Sequence, residues 1–481
     1  MLPEAVRRPS ELGPRLRRLG TALGLATAGL AVVLAGAALM AVAALFDQAG
    51  PLVAIALPAL PGIVLAIFLN PLLGVLAVLA TFPVGSLGAP LGFVTLQAAE
   101  GAVIFIAIVV VLRRLAIGRT PLPFAPELYW ALAVLVWMLV SLYSAIDEAI
   151  ALKALISFSG GIAFASVILA VVRTPSDIRR ILTVFVLVTA IIAAFAVSGG
   201  SAFETTYGGA SVSGRLEGAF DHPNQLGALC AMAAPIAVAL LFGARSFAGR
   251  LAAVAALFLI LPALGLSLSR GAWLGAGLAF LLMLVTLREV RRLLVLVIVP
   301  LVLVGPLVWP AASERPEIQV IGERARSFTT LSPYDGRDQI WGEAIRQIKE
   351  DPLTGHGPGS FSVASSRVGG GATTVKANHA HNIWLNWGAE TGLVGALFLA
   401  ALAVSLAFAA VRAGRLARAR GEPRDRVLAV GIAAALLAVL GQGIVDYPMT
   451  NSVVHIAVWC LIGTLLAAAR APNARSRSST A

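Results

Sequence analysis

Apolar runs of about the length of a membrane-spanning helix recur along this chain almost to its C-terminus. A helix of about 20 apolar residues crosses a hydrocarbon core roughly 30 Å thick, where backbone groups must be satisfied within the segment itself. That feature leaves few folds open, and the expected class is all-α: a polytopic transmembrane helix bundle of about 12–14 spans. A cleaved signal peptide cannot account for runs that return so often. Only 12% of the residues are charged, against about 25% in a soluble domain.

Fourteen candidate spans can be read, at roughly 20–46, 52–69, 71–86, 99–117, 127–146, 150–172, 179–198, 224–243, 250–267, 271–287, 292–309, 388–411, 427–446 and 452–469. The second and third are short and separated only by Asn70-Pro71, so three readings stand: two separate spans, one kinked element or a re-entrant pair. The organisation that follows has four parts. Residues 1–198 are N-terminal spans, and 199–309 are central spans with a first external loop. Residues 310–387 are a large external loop containing amphipathic helices, and 388–481 are C-terminal spans with a basic tail.

Lys and Arg in short loops set orientation. Placing the N-terminal arginines (Arg7, Arg8, Arg15, Arg17, Arg18) in the cytoplasm makes every even-numbered connection basic and puts both termini inside. Of 36 basic residues, 25 then lie on the cytoplasmic side. The other eleven are Lys153, Arg215, Arg270, Arg315, Arg324, Arg326, Arg337, Arg346, Lys349, Arg367 and Lys376. They oppose the bias that orients the chain. Either an anionic ligand requires them, or they pair with neighbours such as Glu343 and Glu350. The net charge of +12 is read as membrane anchoring. Nucleic acid is excluded as a partner, because no basic stripe lies on a soluble domain. Cys230 and Cys460 sit in apolar runs and read as small core residues.

Two external segments are long, 199–223 and about 310–387. In the second, Ile340, Trp341, Ala344, Ile345 and Ile348 recur at helical spacing, so Arg337–Glu350 is expected to be an amphipathic helix lying on the bundle or in the interface. Asp351-Pro352 should end it, and Gly355, Gly357 and Gly359 should make the following turn.

Residues able to do chemistry cluster at the same surface. Arg215 lies shortly before one span, and Arg270 lies in a four-residue turn between two others, where an always-charged fork suits a phosphate or diphosphate. Gly271 and Gly275 would let a neighbouring helix approach closely. Lys153 lies one turn inside a span; it is a functional candidate or pairs with Asp147 or Glu148. His222 is a ligand contact or an interfacial residue, and Asn224 reads most simply as a helix cap. The sharpest cluster is Asn378-His-Ala-His-Asn382, followed by Glu390. His379 and His381 can exchange protons at neutral pH, or they can chelate a metal. The metal reading is weaker, because the external loops offer no further ligand at a recognisable spacing. Glu390 orients a histidine, acts as a second acid or base, or serves the helix dipole.

These segments, in this order, resemble the bacterial O-antigen ligases and Wzy-type O-antigen polymerases. The resemblance rests on Arg215-Leu-Glu-Gly-Ala-Phe with His222-Pro-Asn-Gln, on Ser267-Leu-Ser-Arg-Gly, and on Gly336-Arg-Asp-Gln-Ile-Trp. It continues through Asp351-Pro-Leu-Thr-Gly-His-Gly-Pro-Gly-Ser-Phe361, His379-Ala-His-Asn and Glu390-Thr-Gly-Leu-Val-Gly395. It covers about residues 200–400; the N-terminal spans are similar only in character. It implies an integral glycosyltransferase of the bacterial inner membrane with a periplasm-facing site. The donor would be a glycan on undecaprenyl diphosphate. The acceptor would be lipid A–core in a ligase, favoured here, or a second lipid-linked unit in a polymerase. No nucleotide, metal or other cofactor is implied. Residue by residue, Arg215 and Arg270 would hold the diphosphate leaving group, Arg337 would join them or lock the loop, and His381 would be the base. Lys153, His222, Asn224, His379, Asn382 and Glu390 are the remaining candidate substrate contacts. A transporter of lipid-linked glycan is the competing class, but it should place charges near the bilayer midplane on broken helices, often in two related halves. A non-catalytic assembly protein is the third.

Overall fold

The structure is a computed structural model. It describes residues 61–91, 94–117, 125–199, 202–207, 210–296, 337–367 and 378–470, with scattered positions between 310 and 326. The expected span 20–46, much of 292–309, and the side chains of Arg324, Arg367 and Lys376 lie outside what is described.

The chain is a multi-pass all-α membrane protein. Its helices are α1 (described over 61–69), α2 (Pro71–Ala80), α3 (Ala98–Ile117), α4 (Glu127–Ser141), α5 (Glu148–Val171), α6 (Pro175–Val197), α7 (Pro223–Gly243) and α8 (Phe247–Leu266). There follow α9 (Arg270–Thr286), α10 (Arg288–Leu296), α11 (Arg337–Glu350), α12 (Phe361–Arg367), α13 (Ile383–Ala419), α14 (Pro423–Gly443) and α15 (Ser452–Ala468). Seven of the described helices are long and apolar enough to cross a membrane: α4 with its extension to Ser144, α5, α6, α7, α8, α13 and α14. At 10 residues, α2 rises only about 15 Å and cannot cross alone. The α1–α2 pair therefore fits the kinked or re-entrant alternative. The α9 and α10 helices meet at a bend of 112°.

Helix starts follow the local chemistry. Side-chain caps at Asp147, Thr174, Ser246, Ser269, Asn382 and Asn451 accept orphan N–H groups, and Pro175, Pro223 and Pro423 occupy first-turn positions that need no donor. The central helix is α7, with 89% of its apolar window buried. Both α9 and α14 pack against it. Gly275 allows the closest approach: a Cβ there would stand 2.1 Å from the Ala438 carbonyl oxygen. The small-residue pair on α9 thus does what its spacing predicts, with α14 as the partner.

The loop at 199–223 is more ordered than its length suggests. Strands β3 (Ala202–Tyr207) and β4 (Ala210–Leu216) form an antiparallel hairpin that pairs Phe203 with Arg215. A smaller hairpin joins β1 (Gly88–Leu91) to β2 (Val94–Gln97). The expected amphipathic helix is present as α11, with a different buried face. Ala344 and Gln347 are buried, Ile340 and Ile348 pack beside Ala380 and Ala389, and Ile345 is exposed.

Beyond α11, a glycine strap runs over the start of α13. His356 N–H donates to Ala389 O (3.0 Å), Gly357 N–H to Glu390 O (2.9 Å), and Leu393 N–H to Pro352 O (2.9 Å). The helix breaks where the strap crosses, at Gly392 with φ 69° and ψ 178°. A Cβ on Gly392 would lie 2.0 Å from Leu353 O, so only glycine fits.

Candidate active site

Four short connections converge at one end of the bundle: the β4–α7 turn, the α8–α9 turn, the segment 378–382 before α13 and the α14–α15 corner. Each brings a polar side chain that is largely withdrawn from solvent.

Arg215, at the end of β4, is 3% exposed. Its Nη2 donates to Asn224 Oδ1 at 2.7 Å and its Nε to the Ser267 carbonyl at 3.1 Å. Asn224 therefore does not cap α7, contrary to the simplest sequence reading. His222 is the cap, its Nδ1 accepting the Asn224 N–H at 3.1 Å. A ring nitrogen accepting there carries no proton. Burial most of all, then the charge of Arg215, pushes the His222 pKa down to about 4. The imidazole is neutral at pH 7, a cap and not a cation.

Arg270 is the first residue of α9. Before it, Leu268 adopts φ 52°, an uncommon conformation for a branched residue. Ser267 Oγ, bonded to Leu264 O at 2.8 Å, and the Ser269 cap on Ala272 N hold this turn. A Cβ added to the next residue, Gly271, would stand 3.1 Å from Val445, 3.2 Å from Gln442 and 3.6 Å from Asp446. The arginine turn and the α14–α15 corner therefore touch.

The histidine segment is held by amides. Asn382 Oδ1 accepts the N–H groups of Trp384 and Leu385 (2.9 and 3.1 Å), and its Nδ2 donates to Ile444 O at 2.8 Å. Asn386 Oδ1 accepts the Ala380 N–H at 3.0 Å. Asn382 is thus a brace between α13 and the end of α14. Between the amides, His381 is held at φ 48°, and its Nδ1 lies 2.9 Å from Asp446 Oδ1. His379 Nε2 stands 3.6 Å from the same oxygen, and the two imidazole centroids are 4.2 Å apart.

Asp446 is 2% exposed. Burial alone would raise its pKa, but the two histidines outweigh burial and hold it well below the usual carboxylate range. An ionised carboxylate only accepts, so His381 Nδ1 carries the proton and donates it, leaving the Nε2 lone pair available as a base. For His381, burial is the largest influence and lowers the pKa. His379 and Arg337 push the same way, while Asp446 pulls back without winning. The neutral form of His381 is favoured, as a general base requires.

Asp446 is the residue that sequence reasoning missed. The carboxylate expected to orient a histidine was Glu390, yet the one bonded to His381 arrives from 65 residues further along. The missing signal was available in Gly443-Ile-Val-Asp-Tyr-Pro448, an acid at the end of an apolar run before a tight corner. The argument applied to Arg270 holds for it equally. One atom each from His379, His381 and Asp446 lie within 4.8 Å of one another, a spacing that a metal ion could also bridge. The 2.9 Å hydrogen bond already joining His381 to Asp446 supports the acid–base arrangement.

The other sequence candidates fall into place around this cluster. Arg337 opens α11, and its charge reaches His381. The Glu390 carboxylate accepts the Phe361 N–H at 3.4 Å beneath the strap. Lys153 is committed elsewhere: it pairs with Glu100, which also accepts Ser157 Oγ at 2.7 Å. Neither Asp147 nor Glu148 is its partner, and Asp147 caps α5. Arg346 is taken up by Glu343 and Glu350, the neighbour-pairing alternative.

With this geometry in hand, the relatives can be placed. Residues 255–400 match the family model described as O-Antigen ligase. The matched segment holds Arg270, Arg337, His379, His381 and Glu390; Arg215 and Asp446 flank it. No curated protein matches. A chain solved in work on structural coordination of polymerization and crosslinking by a peptidoglycan synthase complex is similar over 72% of this chain and 96% of its own, with 18% identity and a TM-score of 0.42.

Proposed function

We propose that this protein is a glycosyltransferase of the bacterial inner membrane that moves a glycan from undecaprenyl diphosphate to an acceptor hydroxyl on the periplasmic side. The observation that carries the reading is the His381–Asp446 pair, set among Arg215, Arg270 and Arg337. Transfer from a lipid diphosphate has two needs: positive charge where the diphosphate departs, and a proton acceptor where the hydroxyl attacks. His381 Nε2 takes the acceptor proton as the hydroxyl oxygen bonds to the anomeric carbon. The bond from that carbon to the diphosphate oxygen breaks, and the arginines stabilise the anion that leaves. Asp446 steadies the imidazolium formed. The role of His222 becomes positional, and Lys153 leaves the set of substrate contacts.

Within this reading the ligase branch is favoured, with lipid A–core as acceptor; the polymerase branch would join a second lipid-linked unit. The test is transfer in proteoliposomes with an undecaprenyl-diphosphate-linked glycan, offered either lipid A–core or a second lipid-linked unit. Glycan appearing on lipid A–core supports the ligase. Chain extension on the carrier supports the polymerase. No transfer to either acceptor counts against both.

A further inference from the structure

The arginine arm and the base belong to distant parts of the chain, yet one amide connects them. Gln442, in the last turn of α14, is fully buried. Its Nε2 donates to the Asn224 backbone carbonyl at 3.1 Å and to Asp446 Oδ2 at 3.3 Å. Both partners only accept, so the network itself fixes which way the amide faces. The side chain of the same Asn224 receives Arg215 at 2.7 Å, and the other Asp446 oxygen receives His381 at 2.9 Å. The connection is continuous: Arg215, Asn224, Gln442, Asp446, His381. Meanwhile Gln442 Oε1 is buried without a hydrogen-bond partner. An apolar side chain would fill this space without that penalty, so simple packing is a poor explanation for a glutamine here.

We propose that Gln442 is a positioning residue: it fixes the Asp446 carboxylate, and through it the His381 ring, against the Asn224–Arg215 arm, so that the anion-binding arm and the base are held in register as one unit. This rests on the proposed function only in naming His381 as the base. The two Nε2 bonds tie one side chain to both arms at once, and a buried hydrogen bond is electrostatically stronger than one in water. The charged and titratable groups facing His381 are His379 from its own segment, Asp446 from the α14–α15 corner, Arg337 from α11 and His222 from the turn before α7. Gln442 adds no charge to this set; it acts by holding Asp446.

The test reads His381 directly, without turnover. The full chain is purified in lipid nanodiscs and labelled with diethyl pyrocarbonate, which attacks neutral imidazole, and His381 modification is followed by peptide mass spectrometry against pH. Gln442→Met removes the donor to Asp446 Oδ2, so the carboxylate pulls harder on the His381 proton. The labelling midpoint should rise by about half a unit or more, given the strength of hydrogen bonds to charged groups. Inorganic pyrophosphate, used as a probe of the arginine arm, should move the midpoint in the wild type and move it less in the variant. If Gln442→Met does not fold, Gln442→Asn replaces it: the amide is kept but is one methylene too short to span both acceptors, and the same rise is expected. In the transfer assay the variant should lower kcat with little change in KM. An unchanged midpoint in a folded variant overturns the proposal. A moved midpoint in the variant, with a wild type that transfers to neither acceptor, supports the positioning role and sinks the proposed function alone.

Discussion

Two buried acids in this protein meet different fates. Glu100 faces Lys153 and Ser157, and its second oxygen also takes the Gln97 N–H at 3.0 Å. Asp446 faces two imidazoles and an amide. The first is an acid joined to a lysine and a serine, and the pair holds α3 to α5. The second is an acid matched by groups that can gain or lose a proton near neutral pH. In the proposed function its charge orients and supports a base. An ionisable residue beside an apolar run is therefore not enough to mark a site. What its partner can titrate decides whether the pair is a strut or a tool.

The largest effect expected from breaking this comparison is at Asp446. Asp446→Asn keeps the shape but removes the charge that sets the His381 tautomer. Transfer should fall by about 10²–10⁴, the usual range for a positioned acid–base group, measured as initial rate in proteoliposomes. Next is Arg215→Lys. The guanidinium reaches Asn224 Oδ1 and Ser267 O with separate N–H groups, and an ammonium on a flexible stem cannot hold both in the same geometry. Losing one charge-assisted bond predicts a fall of about tenfold to a hundredfold in kcat/KM.

The pH dependence follows from the His381 shift. A lowered pKa means that the neutral, base-competent form survives to more acidic pH. The acid limb of log(kcat/KM), which reports the free enzyme, should lie below the ordinary histidine value of about 6.5. Activity is full above that limb and is lost as pH falls through it. A limb above the ordinary value would mean that Asp446 outweighs burial.

The smallest effect on transfer is expected at the Glu100–Lys153 pair. Glu100→Gln leaves Lys153 facing no countercharge, and a broken buried pair costs about 3–5 kcal/mol. Thermal stability should drop. The double variant Glu100→Gln/Lys153→Met should recover much of it, with transfer per folded molecule unchanged throughout. A selective loss of transfer in the double variant would return Lys153 to the site.

Much of this was legible in the sequence, because lipid is an unforgiving solvent. Apolar length gave most helices to within a few residues, and helical spacing with Asp351-Pro352 gave α11 and its end. Arg270 and His381 stood out because charge and imidazole are costly at such places. What stayed hidden depended on tertiary placement. Asp446 is remote from His381 along the chain and was absorbed into the tail of a span. Gln442 looks like any polar residue on an otherwise apolar helix until Asn224 and Asp446 are brought to it. The cap of α7 is His222 and not Asn224 because a cap is chosen by backbone geometry, and Arg215 claims the asparagine. Ile345 has the right spacing for the buried face of α11, but the helix docks through Ile340, Ala344, Gln347 and Ile348.

The central claim is that His381, neutral and oriented by Asp446, takes the proton of the acceptor hydroxyl. The most direct measurement is chemical rescue of His381→Ala in proteoliposomes carrying the undecaprenyl-diphosphate-linked glycan and acceptor. The account predicts that transfer is lost in the variant, returns in part when free imidazole is added, and follows the fraction of imidazole that is neutral as pH is varied. Transfer by His381→Ala at the wild-type rate, without imidazole, would contradict it.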